Sequence, residues 1–397
     1  MLRIAVKMLV GNRAKYIGLL FGITFTSFLV TFALSYFAGF MTRGFALISE
    51  NAQADVWVMD PAVNSTEHTT NMPFSFLDRV RSVEGVQSAI PLALGTIDVH
   101  FANGQFHSFQ VIGIDGATLR GLPPLSSGVS KTVLRTPDAA VVNAGGTEGK
   151  LQTPLLTADQ WPYRPHLDVP TRRLRAGDIV LVNGHRVAIV GLARALPRYP
   201  PRPLLYMTYA NAVRILPPER HRMTFVLATA APGVAPNLLA KRIAARTGLR
   251  ARTNDQFKAD TVRWFFINSE DVGDIGSMIS IAMLVGFGVT GVMLYMFTEE
   301  NLRQYAVLKA MGATPRLLMM MILAQAGLCA LLGTGLGLGL CAVVGKIAIA
   351  EADYPFRMMW FTPLLGGGMV ILVSLVAAAI SARPIFKLQP GVVFAGR

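Results

Sequence analysis

Histidine, cysteine and the glycine–lysine pair are the residue types through which this 397-residue chain could ligate a metal, attack a substrate or hold a nucleotide. Its six histidines, His68, His100, His107, His166, His185 and His221, show neither H-x-x-x-H nor H-E-x-x-H spacing. Either spacing would put two imidazoles on one helix face around zinc. They read instead as solvated or locally hydrogen-bonded side chains, and no metal site is expected. Cys329 and Cys341 share one hydrophobic run. On a helix they would stand about 18 Å apart along the axis, beyond the reach of a disulfide. A Walker A loop needs glycines so that backbone amides can cradle phosphates, and a hydroxyl for magnesium. The Gly-Lys pairs here, Gly149-Lys150 and Gly345-Lys346, are followed by Leu151 and Ile347 and lack the upstream glycine. No G-x-S-x-G elbow or catalytic Cys/His pattern appears. The chain is therefore expected to be no enzyme and to bind no cofactor of its own.

The elements around these residues are set by hydrophobicity. The chain is 52% hydrophobic and 15% charged, whereas soluble domains average about a quarter charged. Apolar residues concentrate in four blocks, Ile17 to Phe40, Ile275 to Phe297, Leu317 to Gly345 and Phe361 to Ile380. Each reaches the roughly 20 helical residues that a bilayer core requires. The third is long for a straight crossing, which implies tilt or an emerging end. The first, behind Arg3, Lys7, Arg13 and Lys15, also has the start of a signal peptide. Its apolar stretch is longer than the usual 7–15 residues and no A-x-A site follows, so it reads as an uncleaved span. None of the four blocks contains a charge, which argues against a proton- or ion-coupled pathway. Gly333, Gly335, Gly337 and Gly339 form two overlapping G-x-x-x-G pairs in the third block. Such pairs let helix backbones approach closely, either within the chain or at a dimer seam.

A net charge of +14 would point to nucleic acid in a soluble protein. No zinc-finger spacing, RNP-like signature or long basic run supports that partner. The excess instead follows the topology rule for cytoplasmic Lys and Arg. The N-terminal tail, the loop holding Arg303, Lys309 and Arg316, and the tail holding Arg383, Lys387 and Arg397 are basic. In the connection between spans three and four, Lys346 and Arg357 are offset by Glu351 and Asp353. The expected fold class is a membrane protein of four transmembrane α-helices with a large α/β extracytoplasmic domain between helices 1 and 2. Its segments are an amphipathic cytoplasmic start (1–16), the first span (17–40), the extracytoplasmic domain with a helical stalk (41–272) and the second span (273–297). A cytoplasmic helix (298–316), the third span (317–345), a short outer loop (346–360), the fourth span (361–382) and a cytoplasmic tail (383–397) follow.

Within the domain, Ala54 to Asp60, Gln105 to Ile114, Leu204 to Tyr209 and Thr224 to Ala228 have strand composition, and Pro73 to Val83, Asn211 to Leu216 and Pro236 to Thr247 read as helices. Asp178 to Val190 holds two β-rich runs flanking Asn183-Gly184, the favoured pair for a type I′ turn. Residues 144–171 and 194–203 read as loops. A helix from Asp255 into the second span, and one from the first span to about Gln53, would form the stalk. Arg172, Arg173, Arg175, Arg194, Arg198 and Arg202 read as a solvated surface or one facing an acidic partner or lipid headgroups.

The segment Thr298 to Arg316 is the most informative. Glu299 and Glu300 favour a helix start; Leu302, Ala306 and Lys309/Ala310 share a face; Gly312 is a stop and Pro315 permits a restart. Composition alone allows a tight connector, or a short helix that receives a push from a soluble partner.

Arg303-Gln304-Tyr305-Ala306-Val307-Leu308-Lys309-Ala310-Met311-Gly312-Ala313-Thr314, followed by the glycine-rich span, resembles the loop of the FtsX/MacB superfamily of ABC-transporter permeases. The tail Ala382 to Pro390 matches that family's ending loosely. The order of one span, large domain and three spans is also similar, as are Arg175 to Val180 and Thr247 to Thr253. Ala54 to Asp60 is similar to the DevC-like branch. Gln304 stands where many members have Glu, so an ion pair to the ATPase there is not implied.

The resemblance implies a homodimeric inner-membrane permease with a MacB-like periplasmic domain, driven through mechanotransmission by two copies of a separate ABC ATPase that binds ATP and magnesium. It implies ATPase coupling through Glu299, Arg303, Gln304, Lys309, Met311 and Gly312. A periplasmic adaptor and an outer-membrane channel would complete an efflux pump for a lipophilic cargo. Lipoprotein or lipid extraction, and mechanical signalling to periplasmic enzymes, stay open as alternatives.

Overall fold

In a computed structural model of the chain, residues 8, 13–126, 129–147, 149–217, 223–352 and 354–383 are described. His221, Asp353 and most of the basic N- and C-terminal residues lie outside them. The chain divides into two compact units, Met1–Phe40 with Ser269–Arg397, and Met41–Asn268.

The first unit is helical. Helices Arg13–Gly44, Glu270–Glu300, Pro315–Ala352 and Phe361–Ser381 each contain a stretch long and apolar enough to cross a membrane. Its core joins Leu19, Ile23 and Val30 of the first helix to Leu294 and Phe297 of the second, Met321, Ile322 and Ala326 of the third, and Val370 and Ala378 of the fourth. Hydrophobic transfer drives these helices into lipid, but their association depends on close packing, which small residues permit. The two glycine pairs of the third helix part company here. A Cβ at Gly333 would stand 2.8 Å from Ile23 Cγ2, and one at Gly337 would stand 2.6 Å from both the Thr24 carbonyl and Ser27 Cβ. A Cβ at Gly335 or Gly339 would meet nothing within 4 Å. One pair therefore seats the first helix, and the other lies on an open face.

The second unit is α/β, with a sheet ordered β11-β1-β10-β2-β3-β9-β4-β8-β7. The strands are β1 Val56–Met59, β2 Val86–His100, β3 Phe106–Ile114, β4 Ala139–Asn143, a separate pair β5 Gln152–Pro154 and β6 Thr171–Arg173, β7 Ile179–Val182, β8 His185–Leu192, β9 Leu204–Thr208, β10 Phe225–Ala230 and β11 Arg250–Thr253. β2 is the hinge of the topology. Its first half pairs with β10, and its second half with β3. Its end also meets β7, which curls the larger part of the sheet back on itself.

Alternate side chains of these strands feed different cores, as the two-residue period of a strand requires. Trp57, Met59, Phe225 and Leu227 enter one cluster, whereas Val56, Val58, Val226 and Ala228 enter another against helices Ser75–Arg81 and Pro236–Thr247. β3, β4 and β9 divide likewise, with Val111, Val142 and Leu205 on one side and Ile112, Val141 and Tyr206 on the other. Burial on both faces explains the unbroken apolar runs such as Val56-Trp57-Val58-Met59. The β7–β8 turn places Asn183 at φ 47° and Gly184 at φ 78°, the left-handed pair expected of Asn-Gly.

Several expectations need correction. Neither stalk helix is continuous. The first breaks at Phe45 before resuming as Ala46–Glu50, and helix Asn254–Asn268 ends at an extended Ser269 (φ −95°, ψ 124°). Glu270 and Asp271 then open a new helix, where its positive end favours acids. The stretch 144–171 is not wholly loop, because Gln152–Pro154 pairs with Thr171–Arg173. Three of the arginines read as surface are internally paired. Arg172 binds Asp178 through both terminal nitrogens, at 2.9 and 2.7 Å. Arg202 pairs with Glu67. Arg198, buried, lies 2.5 Å from Glu50, which also accepts from Tyr206 Oη at 2.9 Å and from the Leu196 amide at 2.8 Å. Burial pushes the Glu67 carboxyl up, and the Arg202 guanidinium opposes that rise.

Candidate coupling site

The connection between the second and third spanning helices is a nine-residue helix, Leu302–Ala310. Its C-terminus carries the chemistry that its sequence announces, but its start does not, because Glu299 and Glu300 are the last residues of the second spanning helix and Asn301 makes no side-chain cap. At its C-terminus the Gly312 amide donates to Lys309 O at 3.1 Å and the Ala313 amide to Leu308 O at 3.0 Å. With Gly312 at φ 96°, these two bonds make a Schellman stop, which satisfies carbonyls the helix leaves orphaned. Thr314 then caps the third helix, its Oγ1 3.4 Å from the Leu317 amide, with Pro315 in the first helical position where no amide donor is missed. Four residues, Met311 to Thr314, thus separate the end of one helix from the start of the next.

The inner face of this short helix is Tyr305, Ala306 and Leu308. Tyr305 and Leu308 join the core of the helical unit beside Leu318, Met321 and Ile322. Tyr305 Oη sits 3.3 Å from Gln325 Oε1 on the third helix. Burial holds the phenol up to about 12, so it remains a donor at any physiological pH. At the base of the first helix, Lys15 pairs with Glu300, the last residue of the second helix. The connection is therefore held by the ends of its neighbours.

Its outer face is bare. Arg303, Gln304, Val307, Ala310 and Met311 are exposed, Met311 to 71%. Their spacing of three, four and seven residues places them on one stripe. Of the residues expected to couple, Arg303, Gln304, Met311 and Gly312 stand on this side, Glu299 is exposed one turn before it, and Lys309 is half-buried. Val307 and Ala310 belong to the stripe, and Tyr305 and Gln325 position it. The three-to-four-residue period predicts the first two, while the Gln325 contact has no signal in sequence because it depends on how two helices cross.

Among the described residues no group of three or more His, Cys, Asp or Glu is placed to hold a metal. His68 stacks on Trp264 at 6.5 Å, and His100 lies 5.5 Å from Phe106 and 6.4 Å from Trp161. Partial burial and the nearby charge of Lys150 lower the pKa of His107.

Spanning-length apolar helices fit a multi-pass membrane protein, and the short helix that joins two of them is buried on one side and exposed on the other. Residues 276–390, which include this connection, match the family described as FtsX-like permease C-terminal. The matched stretch takes in the Leu302–Ala310 helix and the spanning helices on either side of it. The chain is also distantly similar to three solved structures. The extracellular domain of the noncanonic ABC-type transporter YknZ from Gram-positive bacteria is 11% identical, covering 50% of this chain and 99% of that one, with a TM-score of 0.34. The periplasmic region of MacB from Actinobacillus actinomycetemcomitans is 14% identical, covering 56% and 96%, also with a TM-score of 0.34. A domain of a putative permease protein from Porphyromonas gingivalis is 14% identical, covering 51% and 89%, with a TM-score of 0.30.

Proposed function

We propose that this chain is the permease subunit of an ABC exporter in the bacterial inner membrane, with both termini and the Leu302–Ala310 helix in the cytoplasm and residues 41–272 in the periplasm. The observation that carries the reading is the one-sided connection helix, packed inward through Tyr305 and Leu308 and bare along Arg303, Val307 and Met311. A partner that closes against such a face can push on two spans at once. A separate ABC ATPase, present in two copies and holding ATP and magnesium, supplies the push. Arg303, Gln304 and Met311 receive it, Glu299 and Lys309 flank the contact, and Gly312 fixes the angle at which the third span leaves. Movement then passes along the first two spans into the domain with which they are continuous in sequence. Two copies of the permease work together, with a periplasmic adaptor and an outer-membrane channel, on a lipophilic cargo.

The test is the double substitution Arg303→Glu with Lys309→Glu in the full chain, reconstituted with its ATPase. ATP hydrolysis should become independent of transport while membrane insertion and melting stay unchanged. Normal export by the double variant would remove the coupling assignment.

A further inference from the structure

At the end of the helical unit opposite the connection helix, a cavity of about 200 Å³ opens among three aromatic rings and two carboxylates. Phe32 and Tyr36 come from the first spanning helix, Tyr354 from the link between the third and fourth, and Asp271 and Asp274 from the first turns of the second. The Tyr354 ring lies 5.0 Å from Tyr36 and 5.9 Å from Phe32, so the rings form a connected wall. Asp271 accepts from Ser269 Oγ at 3.1 Å, yet no ion pair among the described residues engages either carboxylate. No lysine or arginine lines the cavity.

Acids in the first turn of a helix are ordinarily explained by the macrodipole. That accounts for Asp271. It gives no reason for Asp274, a turn further on, to lie on the same side as Asp271 and face a wall of rings. Aromatic faces carry negative quadrupoles and attract cations, most strongly when the cation is only weakly hydrated. Two carboxylates beside such faces form a site of one electrostatic sign. Its volume is below the roughly 300 Å³ at which drug-sized pockets begin, so it suits a headgroup and not a whole molecule. From its rim, Met278, Ile281 and Leu284 continue as an exposed apolar stripe along the second helix.

We propose that this cavity binds the ammonium head of an amphiphilic organic cation whose apolar tail lies along that stripe. Its role as an entry site for cargo rests on the exporter reading above, and deepens it by naming the charge of the cargo. Recognition itself does not depend on transport.

The test uses the purified full-length chain in neutral maltoside micelles, with radiolabelled benzyltrimethylammonium followed by equilibrium dialysis. Saturable binding is expected. Asp271→Asn with Asp274→Asn should weaken it by about tenfold or more, as loss of some 1.4 kcal/mol requires. Tyr354→Leu should also weaken it, while Tyr354→Phe, which keeps the ring, should not. The uncharged isostere neopentylbenzene should compete at least about tenfold less well than unlabelled probe. Unchanged binding in the double Asn variant, equal competition by the isostere, or no saturable binding would each overturn the site. Competition by short-chain phosphatidylcholine would make the natural source a lipid headgroup, and its failure would make it a free amphiphile; both keep the site. Because binding is read on the permease alone, its failure leaves ATPase coupling standing, and failed coupling leaves the site standing.

Discussion

The hydroxyl of Tyr305, on the short helix that joins the second and third spans, lies 3.3 Å from the side-chain oxygen of Gln325 on the third span, with both residues buried. It ties the proposed docking helix to the element that must move with it. Tyr305→Phe deletes the hydrogen bond, a loss of about 1 kcal/mol. Tyr305→Ala opens a cavity as well and should cost roughly 3–5 kcal/mol. Melting of the full chain in detergent should rank the variants in that order. If the bond transmits force, Tyr305→Phe should lower transport per ATP hydrolysed more than it lowers the melting temperature.

The two glycine pairs of the third span predict opposite outcomes for one substitution. Gly337→Leu drives a side chain into the Thr24 carbonyl and Ser27, and Gly333→Leu drives one into Ile23. Overpacking of this kind costs about 1–3 kcal/mol and should lower the melting temperature. Gly335→Leu and Gly339→Leu, on the open face, should leave the monomer's melting unchanged. If that face seats a second copy, those two variants should shift the chain toward monomer in cross-linking or mass photometry.

Glu50 and Arg198 make a buried pair within the second unit, with side-chain exposures of 8% and 4%. Glu50→Gln leaves the buried guanidinium with the Tyr206 hydroxyl and the Glu67 carboxylate but without its directly bonded counter-charge, and a loss of up to about 3–5 kcal/mol is expected. Combining Glu50→Gln with Arg198→Met removes the stranded charge and should recover part of that loss. Thermal unfolding of the two single variants and the double variant measures the coupling directly.

Val307 and Met311 supply the apolar part of the bare stripe. Neither fills the core of the helical unit, so Val307→Asp and Met311→Asp should express and insert normally. Loss of ATPase co-purification by either would support a buried contact at that stripe. Retention by both would exclude it.

Arg172 holds the Asp178 carboxyl below its ordinary pKa of 3.8 through a paired hydrogen bond, and the Arg175 amide adds a second donor. A carboxyl whose pKa is lowered on folding binds fewer protons in the folded state, so stability rises with pH across the interval between the two values. The contribution is present above 3.8 and is lost as pH falls through the lowered value. Asp178→Asn should flatten the acid limb of the melting curve in that window and leave its neutral region nearly parallel to the parent.

Some elements were legible because local chemistry decided them. Asn183-Gly184 specified its turn through left-handed backbone, and Pro236 to Thr247 coincides with an observed helix, Pro236–Thr247, that begins with proline and ends before a left-handed Gly248. β2 escaped detection because Pro91 and Gly95 interrupt its strand pattern, and both are tolerated because β2 changes partners midway. β11, Arg250-Ala251-Arg252-Thr253, is polar because it is an edge strand whose arginines bind Asp260.

By itself the sequence determined the spanning blocks, the helix stop at Gly312 and the loop motif that its family match then covered. Each of these is a property of one continuous segment: transfer of apolar residues into lipid, or the backbone preference of one glycine. Tertiary structure alone decided which glycine pair packs, that Arg198 is buried against Glu50, that Tyr305 reaches Gln325, and that Asp271 and Asp274 share a cavity with three rings. Those are relations between segments far apart in the chain. Residue type sets what such a side chain can do, and only the crossing of helices and strands sets what it meets.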